Sequence, residues 1–194
     1  MDARPYCVVG AGPAGLAAAR WLKALDTPFE GFERNPGVGG IWNIGFAGSP
    51  MYESAHFISS KTLSGFRDLD MPDSYPDYPS HRQILQYLEG YATRFDLRRH
   101  FAFGVAVESA RPDGEEGWVV RLSDGTERAC RGLIAALGCE WRPFVPAIAG
   151  MFDGEVVHSR DYKHPRQFEG RRVLIVGAGN SGRDIACDAS RSAA

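Results

Sequence analysis

The sequence of 194 residues lacks an excess of either charge, because 22 basic side chains stand against 24 acidic ones and give a formal net charge of −2. A strongly basic surface that would attract a polyanion is absent, so we expect no nucleic-acid partner. No run reaches the ~20 apolar residues of a membrane-spanning helix. The first ten residues, MDARPYCVVG, also lack the charged and apolar regions of a secretory signal. These absences predict a soluble, cytoplasmic protein without a membrane partner.

Cysteine is scarce, and its spacing excludes two further classes of protein. Cys7, Cys130, Cys139 and Cys187 form no C-x-x-C pair and no metal-ligand pattern. We therefore predict no metal site and no disulfide framework, and we interpret all four as small buried side chains in a reducing compartment. A chain of this length buries roughly 70% of its extended surface, which is enough to fold without such cross-links.

The N-terminal segments have the order strand, helix, strand. Residues 5–10 are apolar and end at glycine, residues 14–25 have helical spacing, and residues 29–34 return to a strand pattern. This order predicts a parallel pair of strands with a right-handed crossover. A long segment rich in Gly, Ser, Pro and aromatic residues follows over residues 35–79, and segments of this kind are usually functional loops.

The second half returns to regular structure. Ser80 and Gln83 form a capping-box signature before an amphipathic helix. Residues 101–109, 117–123 and 126–130 predict a small antiparallel ribbon, whose last two strands meet at an Asp124-Gly125 turn. Further buried strands are predicted over residues 132–137 and 171–177, and a helix begins at Asn180.

The first glycine-rich segment, VVGAGPAGL, lies between a predicted strand and a predicted helix. Gly10, Gly12 and Gly15 have the spacing G-x-G-x-x-G. Such glycines permit a tight turn and close approach to a pyrophosphate, while the helix N-terminus offers N–H groups to the anion. Glu33 follows Gly15 by 18 positions, near the ~20 typical of a carboxylate that holds a ribose hydroxyl. We predict a site for FAD or NAD.

A second segment, LIVGAGNSG, repeats the pattern with Gly177, Gly179 and Gly182. The residue that would distinguish NADPH from NADH is expected ~20 positions further on, beyond Ala194, so both remain open here. Two dinucleotide loops in one chain favour a flavin and a nicotinamide brought together for hydride transfer, with the flavin at the first loop.

These patterns together predict an α/β fold. An FAD-binding Rossmann-like domain, with a parallel sheet and a small antiparallel ribbon, is expected over residues 1–150. A linker over residues 151–170 leads into the truncated start of a second Rossmann-like nucleotide domain over residues 171–194.

Several motifs resemble the flavin-containing monooxygenase family of single-component flavoprotein monooxygenases. G-A-G-P-A-G over residues 10–15 and F-E-R over residues 32–34 are similar to its FAD loop, and G-G-I-W over residues 39–42 is similar to a segment beside the flavin. Phe152, Gly154, His158 and Tyr162 fit the family fingerprint F-x-G-x-x-x-H-x-x-x-[YF] between the two loops. The resemblance runs along the whole chain but covers only the N-terminal part of such enzymes.

The resemblance implies FAD and NADPH as cofactors, with O₂ and a small amine or sulfide as substrates. NADPH would reduce FAD, and a C4a-hydroperoxyflavin would then oxygenate the soft nucleophile. His158 would help to couple the two nucleotide domains. Tyr162 stands where related Baeyer–Villiger enzymes usually have Trp, so the resemblance is nearer to the N- and S-oxygenating branch. The implied cofactor contacts are Gly10, Gly12, Pro13, Ala14, Gly15, Glu33, Arg34, Gly40, Ile41 and Trp42 for FAD, and Gly177, Gly179, Asn180, Ser181 and Gly182 for NADPH.

One departure from the family keeps other activities open. Ile58 stands where the family often has an Asn that supports the oxygenated flavin, which keeps open the alternative of an FAD/NAD(P)H oxidoreductase or an NADPH oxidase that oxygenates no substrate. A pyridine nucleotide–disulfide reductase would need a redox cysteine pair that the sequence lacks. Because the rest of the nicotinamide domain and the segment that returns to the FAD domain are absent, we expect a fragment of a longer enzyme. A non-catalytic nucleotide-binding remnant is the third alternative.

Overall fold

A computed structural model describes residues 4–114 and 117–194, so the first three residues, on which the secretory-signal argument partly rests, lie outside it. The strands are β1 (Tyr6–Val9), β2 (Phe29–Glu33), β3 (Phe101–Phe103), β4 (Val107–Pro112), β5 (Trp118–Leu122), β6 (Glu127–Cys130) and β7 (Gly132–Ala135). The α-helices are α1 (Pro13–Ala24), α2 (Lys61–Ser64), α3 (His81–Arg94) and α4 (Asn180–Ser192). Short 3-10 helices cover Gly40–Trp42, Arg98–His100, Ser159–Asp161 and Pro165–Phe168.

By its internal contacts the described chain divides into two compact units. The first comprises Met1–Gly40, Phe66–Leu69 and Leu85–Gly138, and the second comprises Ile41–Gly65, Asp70–Ile84 and Cys139–Ala194. The boundaries expected from the sequence at residues 150 and 170 stay predictions.

The first unit is built on a four-stranded parallel sheet of order β3-β2-β1-β7. Tyr6 lies opposite Phe29 on one side and Gly132 on the other, so β1 is central. Helix α1 connects β1 to β2 and buries Leu16 and Ala19, which confirms the predicted β-α-β unit. The predicted α/β class, with a parallel sheet and a small antiparallel ribbon, is confirmed.

The antiparallel ribbon has the order β4-β5-β6, and the predicted turn at Gly125, with φ +83°, joins its last two strands. The single ribbon strand predicted over residues 101–109 is wrong. Gly104 has φ +74°, which ends β3 in the parallel sheet before β4 begins in the ribbon. A shared apolar core joins the two sheets and contains Cys7, Val9, Phe32, Val120, Leu122 and Cys130.

Two predicted buried strands differ from the structure. Residues 171–177 form no strand, and Leu174 and Val176 are exposed, because no described segment supplies a strand to pair with them. Over residues 132–137 the strand stops at Ala135 and is only half-buried, since β7 is an edge strand of the parallel sheet.

The prediction that all four cysteines are buried is half correct. Cys7 and Cys130 are buried in the core of the first unit, whereas Cys139 and Cys187 are exposed. Cys187 lies on the solvent side of α4, and Cys139 lies in the irregular segment that follows β7.

The second unit contains α4 and much of the long irregular segment. Its core packs Tyr52, Ala55, Tyr162 and Ile185 together. The capping box predicted at the start of α3 is confirmed, because Ser80 N–H donates to Gln83 Oε1 at 2.9 Å and Gln83 N–H donates back to Ser80 Oγ at 3.4 Å. None of the helices in the described ranges is long and apolar enough to cross a membrane.

The stability of the first unit should depend on the buried face of α1. Leu16 is fully buried, whereas Leu25 at the C-terminal end of the same helix is 71% exposed. We expect Leu16→Ala to lower the free energy of unfolding by about 2–5 kcal/mol, because it leaves a cavity, and Leu25→Ala to change it by less than about 0.5 kcal/mol. Urea denaturation of both variants measures this difference, and equal losses would contradict the packing described for α1.

The second unit should lose stability in mild acid through His81. This residue is 2% exposed, and burial, reinforced by the charge of Arg82 and opposed by Glu53, lowers the pKa of His81 below the ordinary 6.5. The unfolded chain therefore binds this proton at higher pH than the folded chain, so the stabilisation is complete above pH 6.5 and is lost as the pH falls below it.

Urea midpoints at pH 7.5 and pH 5 measure this effect, with His81→Gln as the control that cannot titrate. We expect the wild-type midpoint to fall further than that of His81→Gln, since every other titrating group is common to both. Equal falls would exclude His81 as the source of the acid sensitivity.

Candidate functional site

The first glycine loop follows β1 and has a backbone that requires glycine. Gly10 has φ +105° and donates its N–H to Phe32 O at 2.8 Å. A Cβ at Gly10 would lie 2.5 Å from Ala136 O, and a Cβ at Gly15 would lie 1.8 Å from Gly10 O. Helix α1 and the end of β1 are thus in contact through backbone atoms. Only glycine at positions 10 and 15 allows this approach.

Helix α1 begins directly after this loop. Gly12 is its N-cap, and Pro13 occupies the first helical position, where the missing N–H costs no helical hydrogen bond. Ala14 is exposed. The N–H groups of the first turn, including those of Ala14 and Gly15, have no acceptor within the helix. They are the donors that an anion at this end of α1 would use.

Glu33 ends β2, and its carboxylate is buried against the first loop with 5% of the residue exposed. Its Oε2 accepts the Ala11 N–H at 2.7 Å, and its Oε1 accepts both the N–H and the side-chain amide of Asn35 at 2.8 Å. A carboxylate has about four acceptor positions, so one position on Oε2 remains for a further donor. The neighbouring Arg34 is exposed.

The G-G-I-W segment reaches the first loop through its glycines. Gly39 N–H donates to Ala11 O at 3.0 Å. A Cβ at Gly40, which has φ +56°, would lie 3.0 Å from Gly12 Cα. Ile41 and Trp42 belong to the second unit, where both are half-buried and the rings of Trp42 and Phe57 form an edge-to-face pair with centroids 4.9 Å apart.

The second glycine loop repeats the backbone geometry of the first. Gly177 has φ +120°, Gly179 is the N-cap of α4 with φ −72° and ψ −179°, and Gly12 has the corresponding values of −76° and −172°. A Cβ at Gly182 would lie 2.6 Å from Gly177 O, as a Cβ at Gly15 would approach Gly10 O. Asn180 and Ser181 form the first turn of α4. The repeated conformation is present although no strand precedes it.

The four fingerprint residues have separate structural tasks. A Cβ at Gly154 would lie 2.4 Å from the tip of the Phe152 ring, which is exposed and free to move aside. His158 caps the 3-10 helix Ser159–Asp161, because its Nδ1 accepts the Arg160 N–H at 3.1 Å. This bond leaves Nε2 to carry the proton of the neutral imidazole. Tyr162 is 1% exposed and lies in the core of the second unit.

Two cationic side chains hold the segment around His158 in place. Arg160 donates to Trp141 O at 3.1 Å and to Gly48 O at 3.2 Å. Lys163 Nζ donates to Ser49 O at 2.6 Å and to Met51 O at 3.0 Å, and burial lowers the pKa of Lys163.

A cavity of about 330 Å³ in the second unit brings two predicted site residues together. His158 of the fingerprint and Ser181 of the second loop both line it, together with Arg142, Arg160 and the acidic residue Glu140. Imidazole, hydroxyl and guanidinium groups are donors suited to phosphate oxygens, whereas a carboxylate is not.

Sequence reasoning missed two carboxylates of α4, the helix that follows the second loop. Asp184 accepts a hydrogen bond from Tyr52 OH at 2.8 Å, and Asp188 accepts one from Tyr162 OH at 2.7 Å. The signal was present in the sequence, because the two residues lie four apart on one face of the predicted helix.

A family model for flavin-binding monooxygenase-like proteins matches residues 3–194. The chain belongs to this family. The predicted resemblance is therefore confirmed, over almost the whole length of the sequence. Among curated relatives, "Probable indole-3-pyruvate monooxygenase YUCCA9" of Arabidopsis thaliana is 41% identical over 188 residues, which cover 93% of this chain and 43% of that protein.

A second relative is "Dimethylaniline monooxygenase [N-oxide-forming] 2" of Macaca mulatta, which is 35% identical over 207 residues. The match covers 99% of this chain and 39% of the macaque protein. The chain thus spans less than half of the length of these curated relatives. Among solved structures, a flavin-containing monooxygenase from Stenotrophomonas maltophilia superposes with a TM-score of 0.87 at 29% identity, covering 100% of this chain and 56% of that one.

The glycine contacts in the two loops predict graded losses of stability. We expect Gly15→Ala and Gly182→Ala each to destabilise the fold by about 1–3 kcal/mol or more, because each new methyl group would overlap a carbonyl oxygen. The loss should be larger for Gly15→Ala, where the approach is 1.8 Å rather than 2.6 Å.

Gly90→Ala is the matched control, because Gly90 lies inside α3 and a Cβ there would meet nothing within 4 Å. We expect it to stabilise the protein by about 0.5–1 kcal/mol through helix propensity. Urea denaturation of the three variants gives the order, and a stable Gly15→Ala protein would refute the described contact between helix and strand.

Proposed function

We propose that this chain forms the FAD site and the first part of the NADPH site of a flavin-dependent monooxygenase. The buried carboxylate of Glu33 beside the Gly10 loop is the observation that carries the proposal. Its one remaining acceptor position on Oε2 suits a ribose hydroxyl.

FAD fits the arrangement around the first loop. Gly10 and Gly12 present backbone without side chains, and the first-turn N–H groups at Ala14 and Gly15 suit a pyrophosphate. Gly40 keeps the adjoining segment close to Gly12. Pro13 and Arg34 complete the proposed FAD contacts of the first unit, while Ile41 and Trp42 stay predictions from the sequence.

NADPH fits the second loop for the same physical reasons. Gly177, Gly179 and Gly182 shape the backbone, and Asn180 and Ser181 offer N–H groups at the start of α4. His158, which shares a cavity with Ser181, has its Nε2–H free of the capping bond and is proposed to hydrogen-bond the nicotinamide cofactor there. This contact would link the fingerprint segment to the second loop.

FAD held by these residues would supply the redox chemistry on which a monooxygenase depends. The task of the chain's own residues is to bind the cofactors and to orient them. Glu33 fixes the ribose end of FAD, and the two helix N-termini hold the pyrophosphates. No acid, base or nucleophile from the chain is required for the oxygenation itself.

We propose an amine or a sulfide as the substrate of the whole enzyme. Tyr162 at the last fingerprint position supports this choice, as does the N-oxide-forming activity in the name of the macaque relative. Indole-3-pyruvate is the second candidate, because the Arabidopsis relative named for it is 41% identical to this chain.

The FAD site is tested by the visible absorbance spectrum of the purified 194-residue chain after free flavin has been removed. We expect a bound flavin band in the wild-type protein. Glu33→Gln should bind FAD roughly 10- to 100-fold more weakly, since hydrogen bonds to a charged acceptor are lost. Glu30→Gln, an exposed carboxylate on the same strand, is the matched control and should retain flavin.

A folded but colourless wild-type chain would confine the proposal to a longer parent protein. Equal flavin retention in Glu33→Gln and Glu30→Gln would refute the role of Glu33. In a flavin-loaded sample, NADPH-dependent oxygen uptake with dimethylaniline, an alkyl sulfide or indole-3-pyruvate distinguishes the substrates. Oxygen uptake that releases hydrogen peroxide whatever substrate is added would instead identify the oxidase.

A further inference from the structure

Three hydroxyl groups of the second unit converge on two carboxylates of α4. Tyr52 OH donates to Asp184 Oδ2 at 2.8 Å. Ser54 Oγ and Tyr162 OH donate to the same oxygen of Asp188, Oδ2, at 2.5 and 2.7 Å. We call these five residues the α4 clamp.

Tyr52 and Ser54 belong to one turn, in which Ala55 N–H donates to Tyr52 O at 3.0 Å. Asp184 and Asp188 are four apart on one helix, and such side chains lie about 6 Å from each other on one face. Hydrogen bonds from the turn therefore reach both carboxylates.

Two of the three hydrogen bonds of the clamp end on a buried carboxylate, that of Asp188, whereas Ser54 is exposed and Asp184 is half-buried. Asp188 is 5% exposed and Tyr162 is 1% exposed. The nearest cation described for Asp188 is Arg191, whose largely exposed side chain stands 3.9 Å away. A buried carboxylate whose counter-ion is largely exposed requires further donors, and hydrogen bonds to ionised acceptors are strong. Burial, together with the adjacent carboxylates, raises the pKa of Tyr52 and Tyr162, so both remain donors at neutral pH.

The clamp acts close to the second glycine loop. Asp184 follows Gly182 by two residues, and a Cβ at Gly182 would collide with Gly177 O, so the loop and α4 are in close backbone contact. Residues 171–177 pair with none of the described strands. The orientation of α4 therefore rests on the apolar core around Ile185 and on the clamp, with two further bonds near its C-terminal end, from Ser192 Oγ to Pro165 O at 3.1 Å and from Ala194 N–H to Arg171 O at 2.9 Å.

We propose that Tyr52, Ser54 and Tyr162 are positioning residues that fix the second glycine loop through Asp184 and Asp188. In this arrangement the fingerprint tyrosine has a polar task besides its packing against Tyr52 and Phe168. It holds the helix whose first-turn N–H groups, those of Asn180 to Gly182, face the anion. The identity of that anion, the pyrophosphate of a nicotinamide dinucleotide, rests on the proposed function.

Hydrogen exchange of the cofactor-free chain tests the clamp directly. The variants are Tyr162→Phe, which keeps the aromatic ring, and Ser54→Ala, at an exposed residue where truncation should be tolerated. Tyr91→Phe is the matched control. Tyr91 is also 1% exposed and donates its hydroxyl to a carboxylate, Asp68, at 3.0 Å, but it belongs to the first unit.

We expect each clamp variant to speed amide exchange in peptides covering residues 177–186 by about tenfold, the factor that loss of one hydrogen bond to a charged group produces. Tyr91→Phe should leave these peptides unchanged relative to the rest of the second unit. Unchanged exchange in the clamp variants, or an equal rise in the control, would overturn the proposal.

Equilibrium dialysis with NADP⁺ then tests the link to the ligand. We expect a weaker Kd for NADP⁺ in both clamp variants with flavin retention as in the wild type. Faster exchange with an unchanged Kd would refute the orienting role. If the wild-type chain binds no NADP⁺, the proposed function fails for this chain, and the exchange rates alone decide whether the clamp fixes the loop.

Discussion

The buried carboxylate of Glu33 is the contact on which the first unit depends most. Through Oε2 it holds Ala11 inside the glycine loop, and through Oε1 it holds Asn35 at the exit of β2. The backbone carbonyls of Glu33 and Asn35 in turn accept the N–H groups of Val105 and Gly104. One residue thus joins the loop after β1, the end of β2 and the exit of β3, and its removal would leave buried donors without partners.

The two glycine loops show how much of a dinucleotide site is local. Both have a first glycine with positive φ, a glycine N-cap in an extended conformation and a third glycine against the first carbonyl oxygen. The first loop follows a strand of the parallel sheet, whereas no strand precedes the second loop. The same loop conformation therefore occurs in this chain both with and without a strand before it.

The side chains of the fingerprint segment mainly fix the conformation of the neighbouring backbone. The Phe152 ring lies beside Gly154, the His158 imidazole caps a short helix, and Tyr162 donates a hydrogen bond to Asp188 of α4. The charged Nζ of Lys163 donates hydrogen bonds to the carbonyl oxygens of Ser49 and Met51. A histidine engaged through Nδ1 is oriented before any ligand arrives, which is the condition for a polar group to act on a bound cofactor.

The sequence by itself determined the β-α-β unit, the capping box of α3, the Asp124-Gly125 turn and the family, because each depends on residues within a short stretch of chain. Only the tertiary structure decided the division of residues 101–109 between two sheets and the absence of a strand over residues 171–177, because a strand exists only where a neighbour accepts its hydrogen bonds. It also decided the convergence of Tyr52, Ser54 and Tyr162 on α4. Those residues are up to 134 positions from their carboxylates, and spacing along the chain carries no record of contacts between segments so far apart.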